Sequence, residues 1–135
     1  MHLKYLYTRL NVANYAACKA FYQDVLGFQI GFEDPLDQYV ELATGVTKIT
    51  IFDRQHLREF VGPSEELTYS PHRAGTALTF EVTDMDAALA ELKQHGVKLI
   101  RSPAMFSDMG FVSACFRDPD GNLIELQHVA DVSIH

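Results

Sequence analysis

At 135 residues, 47% hydrophobic and 21% charged, the chain has the size and composition of one folded domain, which excludes disordered and fibrous classes. Eleven Lys+Arg against 18 Asp+Glu give a formal charge of −7 with no basic run, so nucleic acid is not an expected partner. No apolar stretch approaches the ~20 residues that cross a bilayer, and MHLKYLYTRLNV alternates instead of showing an export signal, so a cytoplasmic protein with no membrane partner is expected.

Residues 3–12 alternate, Leu6, Thr8, Leu10 and Val12 against Tyr5, Tyr7, Arg9 and Asn11, which predicts a strand. Asn14 is a good helix N-cap, and Cys18, Phe21, Tyr22, Val25 and Leu26 follow at helical spacing until Gly27 stops the run. Three strands are expected next, over 28–33, 38–42 and 46–53, the last two joined by the turn Ala43-Thr44-Gly45. Residues 54–75 then form a connection long enough to be a cover or a linker, with one helical turn available at His56 to Phe60.

The plan repeats. Residues 76–82 read as a strand, Asp84 as an N-cap, Met85, Ala88, Leu89 and Leu92 as one helix face, and Gly96 as its stop. Strands are expected over 98–101, 112–117 and 122–128, the last two joined by Asp118-Pro119-Asp120-Gly121, with Pro where φ must be negative and Gly where it must be positive. Leu10-Asn11-Val12-Ala13-Asn14 lies over Phe80-Glu81-Val82-Thr83-Asp84 at an offset of 70. Two strand-helix-three-strand modules, 3–53 and 76–128, thus make up a single domain spanning 1–135, with 54–75 connecting them.

Cys18 and Cys115 lack a C-x-x-C or similar partner motif and read as buried reduced thiols. The six histidines show no i,i+2 or i,i+4 pairing of the kind that builds a metal site; His95 falls at a helix C-terminus, where the dipole favours it. No nucleophile-base constellation or phosphate-cradling glycine loop stands out.

With the repeat in hand, AFYQDVLGF (20–28) and RDPDGNLIEL (117–126) resemble motifs of the vicinal oxygen chelate superfamily, which includes glyoxalase I, fosfomycin-resistance enzymes, extradiol dioxygenases and bleomycin-resistance proteins. The resemblance runs from about Tyr5 to Gln127. It implies an α+β fold of paired βαβββ modules, each an incomplete curved sheet around a cavity, in a homodimer. In metal-dependent members the ligands come from the first and last strands of each module. Carried over, those positions are Tyr7, Thr50, Ala77 and Glu125. Only Glu125 matches; Tyr7 stands where the family has His or Gln, and Ala77 where it usually has His.

On a pleated strand Ile124 and Leu126 point to one face, towards the helices, while Leu123, Glu125 and Gln127 point to the other. Glu125 is therefore expected in the cavity with Tyr7, Arg9, Thr50, Phe52 and Thr79 as ligand-binding positions. Arg9 shares the parity of Tyr7 and is expected to bond Glu125 or an acidic group of a ligand. Met105, Phe106, Met109 and Phe111 offer an apolar rim, or else core or dimer contacts.

A divalent cation needs several hard oxygen or imidazole ligands, and a phenol, a hydroxyl and a methyl beside one carboxylate do not supply them. The expectation is therefore no metal and no cofactor, and a small planar or aromatic ligand held as bleomycin-resistance proteins hold an antibiotic. The alternatives are a metal-dependent glyoxalase-like lyase or dioxygenase with a non-standard site, in which Glu125 acts as catalytic acid or base, and a non-catalytic dimeric domain whose cavity is filled by its own side chains.

Overall fold

The computed structural model describes residues 1–106 and 110–129, and the chain divides between Tyr69 and Ser70 into two compact units. The first unit runs β1 (Thr8–Val12), α1 (Tyr15–Ala20), β2 (Gln29–Asp34), β3 (Tyr39–Ala43) and β4 (Lys48–Asp53), followed by α2 (Arg58–Val61). The second runs β5 (Ala77–Glu81), α3 (Met85–Gln94), β6 (Ala104–Phe106), β7 (Phe111–Arg117) and β8 (Leu123–Val129). The strand orders are β1-β4-β3-β2 and β5-β8-β7-β6, so both units form an open curved sheet of one topology. In each, the first strand pairs parallel with the last, Thr8 against Ile49 and Ala77 against Leu123, and the other pairings are antiparallel.

The helices start where their caps dictate. The Asn14 side chain accepts from the Ala17 amide at 3.0 Å, and Asp84 accepts from that of Ala87 at 3.0 Å. After Ala20 the first helix widens into a π turn over Phe21–Val25, with the Leu26 amide reaching the Phe21 carbonyl at 3.1 Å. One sheet face packs on each helix. Val12, Cys18, Tyr22, Val40, Leu42 and Ile51 are fully buried in the first unit, as are Phe116 and Ile124 in the second. Each large apolar side chain among them contributes roughly 1.5–3 kcal/mol by leaving water. Glu33, on the helix-facing side of β2, accepts from Tyr15 at 3.2 Å and from Lys19 at 2.5 Å, tying α1 to the sheet.

Three expectations change. The first strand begins at Thr8 and not Leu3, because its one neighbour, β4, begins at Lys48 and offers no ladder beyond it; Leu3, Tyr5 and Leu6 are exposed. The outer strand of the second unit is Ala104–Phe106 and not 98–101. At 98–101 only the Ile100 amide bonds β7, to the Cys115 carbonyl at 2.8 Å, and Pro103, with no amide to donate, separates this stretch from the ladder that follows. Cys18 is buried as expected, but Cys115 is only partly so.

The connecting segment does form a helical turn, a 3-10 turn at Arg54–His56 followed by α2, capped by the Asp53 carboxylate on the Gln55 amide at 3.0 Å. Its far end is clasped by the β7–β8 hairpin. Arg73 donates to the Asp120 carboxylate at 2.7 Å and to the Asn122 side chain at 2.8 Å, while Arg117 donates to the Arg73 carbonyl at 2.5 Å. Gly121 has φ +89°, and a Cβ there would meet the Pro71 carbonyl oxygen at 1.9 Å, so glycine is required twice over. Among the described residues no helix is long and apolar enough to cross a membrane.

Candidate functional site

The helix-free face of the first sheet carries a hollow of about 260 Å³ lined by Tyr7, Arg9, Tyr39, Phe52, His56 and Phe60, with Asp34, Asp37 and Glu59 also on its wall. Strand parity explains the gathering. Arg9 pairs with Thr50 and Thr50 with Glu41; Asn11 pairs with Phe52, Phe52 with Tyr39, and Tyr39 with Asp34. Residues paired across a sheet share a face, so two adjacent rows of side chains cross it.

The second row is largely aromatic. Ring centroids are 6.1 Å apart for Tyr39 and Phe52, 5.6 Å for Phe52 and His56, and 5.7 Å for Phe52 and Phe60, the last edge-on from α2. Phe32 extends the run, 6.3 Å from Tyr39. The Arg9 guanidinium carbon sits in the corner of Phe52 and Phe60, 5.4 and 5.3 Å from their centroids, while its Nε donates to the Asn11 side chain at 3.1 Å.

Deeper in the sheet lies a polar relay. Tyr39 donates its hydroxyl to Glu41 at 2.7 Å, and Lys48 donates to the other Glu41 oxygen at 2.8 Å. Burial, the bond to Glu41 and the neighbouring Tyr7 phenol push the Tyr39 phenol far above its ordinary value, so it stays protonated. The Lys48 ammonium, and then the Tyr39 hydroxyl, hold the Glu41 carboxylate below its usual range. Thr50, beside Glu41 in register, is fully buried, and its hydroxyl has no partner among the described residues.

The second unit's corresponding face gathers around Glu125. Ser113 donates to one carboxylate oxygen at 2.5 Å, and Gln127 and Thr79 donate to the other at 2.9 and 3.3 Å. All these donors are neutral. Glu125 and Gln127 share the face opposite to Ile124 and Leu126, which are buried.

The expected site residues fall in both units. Tyr7, Arg9 and Phe52 line one hollow in the first unit, whereas Thr50 lies buried beneath its surface. Thr79 and Glu125 meet in the second unit. Within its own unit Arg9 donates its Nε to Asn11, and within the second unit the Glu125 oxygens accept from Ser113, Gln127 and Thr79. Met105 and Phe106 lie on β6 and Phe111 on β7; the side chains of Met105 and Phe106, and the whole of Met109, lie outside the described residues. Tyr39 and Glu41 escaped the sequence reading although their parity, opposite to Val40 and Leu42, puts them on the hollow's face of the sheet, where Tyr39 lines it. Phe60 carries no periodic signal.

The metal-ligand positions implied by the resemblance do not suit a cation. Thr50 offers a buried neutral hydroxyl, Ala77 a methyl, and Tyr7 a phenol, and Glu125 already accepts three hydrogen bonds. No three His, Cys, Asp or Glu side chains among the described residues are grouped to hold one.

Residues 4–126 match the glyoxalase/bleomycin resistance protein/dioxygenase superfamily. The uncharacterised protein YraH of Bacillus subtilis is 32% identical over 124 residues, 92% of this chain and 97% of that protein. A crystal structure of a protein of unknown function from Agrobacterium tumefaciens superposes with a TM-score of 0.77 at 28% identity over 95% of both chains. A lactoylglutathione lyase from the same organism superposes with a TM-score of 0.72 at 22% identity, over 93% of this chain and 92% of that one, a likeness of fold.

Proposed function

We propose that this chain, which belongs to the glyoxalase/bleomycin resistance protein/dioxygenase superfamily, holds a small planar or aromatic molecule in the hollow of its first unit, without a metal ion. The observation that carries the reading is the run of Tyr39, Phe52, His56 and Phe60 around a hollow of about 260 Å³, a size suited to one or two fused rings. Each ring stacked or met edge-on adds roughly 0.5–1.5 kcal/mol beyond burial. Polar groups then fix orientation: the paired Tyr7 and Tyr39 phenols present their hydroxyls, and Arg9 presents the edge of a guanidinium.

The test is thermal shift and calorimetry with a panel of one- and two-ring aromatics, with and without chelator. Stabilisation indifferent to chelator is the expected result, and Phe60→Ala, at an exposed ring of α2, should weaken binding about 2- to 12-fold without unfolding the protein. Stoichiometric transition metal in protein purified without added metal would defeat the metal-free part. Failure of every aromatic to bind would leave a cavity closed by its own side chains.

A further inference from the structure

The same hollow holds opposite charges that do not neutralise each other. Arg9 uses only its Nε, on Asn11; among the described residues nothing accepts from its two terminal nitrogens. Across the sheet, one Asp34 oxygen accepts from the amides of Leu36 and Asp37 at 3.2 and 3.3 Å, which fixes the carboxylate and leaves its second oxygen without a donor among the described residues. Asp37 is exposed on the same turn, and neither acid has an ion pair among the described residues. Lys48 and Glu41 satisfy each other and drop out of the count.

Strand order sets the spacing. Arg9 lies on β1 and Asp34 on β2, three strand intervals away and one side-chain row along, with Tyr39 and Phe52 between them. At about 4.8 Å per interval the two backbones stand on the order of 14 Å apart, so the charged ends, which form no ion pair among the described residues, face each other across the aromatic row. A ligand with one charge would suit this poorly. An anion would face Asp34, Asp37 and Glu59 around a single guanidinium, on a protein of net charge −7. A cation would cover the guanidinium and leave its donors unpaired.

Building on the binding role proposed above, we infer that the ligand is zwitterionic across a flat ring, its carboxylate or similar acid meeting Arg9 and an ammonium or other cation meeting Asp34 and Asp37. An α-amino acid, whose charges sit about 3 Å apart by bond geometry, is too short for that span. A para-substituted aromatic reaches it.

Calorimetry on the unmodified protein with four probes of one shape tests this: 4-(aminomethyl)benzoate, 4-methylbenzoate, 4-methylbenzylamine and 4-methylbenzyl alcohol. The expected result is that the first binds at least about tenfold tighter than each of the other three, one charge-assisted bond being worth that much. Arg9→Met should then bring its affinity down to that of the amine, and Asp37→Asn, at an exposed turn position, should bring it towards the acid. If the alcohol, the acid or the amine binds as tightly as the zwitterion, the charge assignment is wrong and the aromatic pocket stands. If none of the four binds at millimolar concentration, while the aromatic panel does, the assignment is again wrong; if the panel fails too, both readings fall.

Discussion

Glu41 and Glu125 occupy neighbouring strands of sheets that share one topology, yet they are held in opposite ways. Glu41 sits on the third strand of its unit and is bonded by an ammonium and a phenol; Glu125 sits on the last strand and is bonded by two hydroxyls and an amide. At the register position of Glu125 the first unit has Thr50, buried and unpartnered; at that of Glu41 the second unit has Cys115. Where the first unit has Arg9, the second has Thr79. Duplication of a backbone plan therefore does not duplicate chemistry. The first sheet became an aromatic, charged hollow and the second a neutral polar cluster around one acid.

The contrast can be broken hardest at the turns. Gly121→Ala places a methyl on the Pro71 carbonyl at a φ of +89° and is expected to destabilise by roughly 2–4 kcal/mol, read from denaturant midpoints. Gly45→Ala, at the equivalent turn of the first unit, meets nothing within 4 Å, and only its φ of +119° is strained, so a loss of about 1 kcal/mol is expected. Equal losses would mean that the clasp on the connecting segment does not matter.

A subtler asymmetry lies in the hydroxyls. Thr50→Val removes a buried group without a partner and should stabilise by about 1 kcal/mol, whereas Thr79→Val removes an exposed donor to Glu125 and should be neutral or slightly destabilising. A destabilised Thr50→Val would show that a water or ligand satisfies that hydroxyl.

The smallest effect is read through pH at Glu41. Because the Glu41 carboxylate titrates lower folded than unfolded, its contribution is present above about pH 4.3 and lost as pH falls through the folded value. Glu41→Gln should therefore narrow stability at neutral pH by under about 1 kcal/mol, given that Lys48 is 40% exposed, and the gap should close in acid. A gap that persists below pH 3 would assign the effect to packing instead.

The duplicated plan, both N-caps and the glycine of the RDPDG turn were legible because each depends on local chemistry: an Asx side chain before a helix, or a backbone angle that only glycine takes easily. That Glu125 lies on the face opposite to Ile124 and Leu126 was legible for the same reason, period two being a property of the strand itself. What stayed hidden depended on distant partners. Leu3 to Tyr7 alternate like a strand, but whether they pair is decided by where β4 begins, about forty residues later. Phe60 sits on the single turn α2, too short to show a period, and joins the hollow because that turn sets its ring 5.7 Å from Phe52. Thr50 is fully buried between its register partners Arg9 and Glu41, a depth that strand parity alone does not give.

The parallel pairing of each first strand with its last has a consequence for how the molecule assembles. Closing Thr8 onto Ile49 restrains some forty residues of chain, an entropic burden about 2 kcal/mol heavier than closing the adjacent hairpin at Ala43 and Lys48. Within the unit, β1 thus cannot dock until β4, some forty residues later in the chain, is available to pair with it. The side chains it carries, Arg9 foremost, arrive at an aromatic surface that the later hairpins have already laid down.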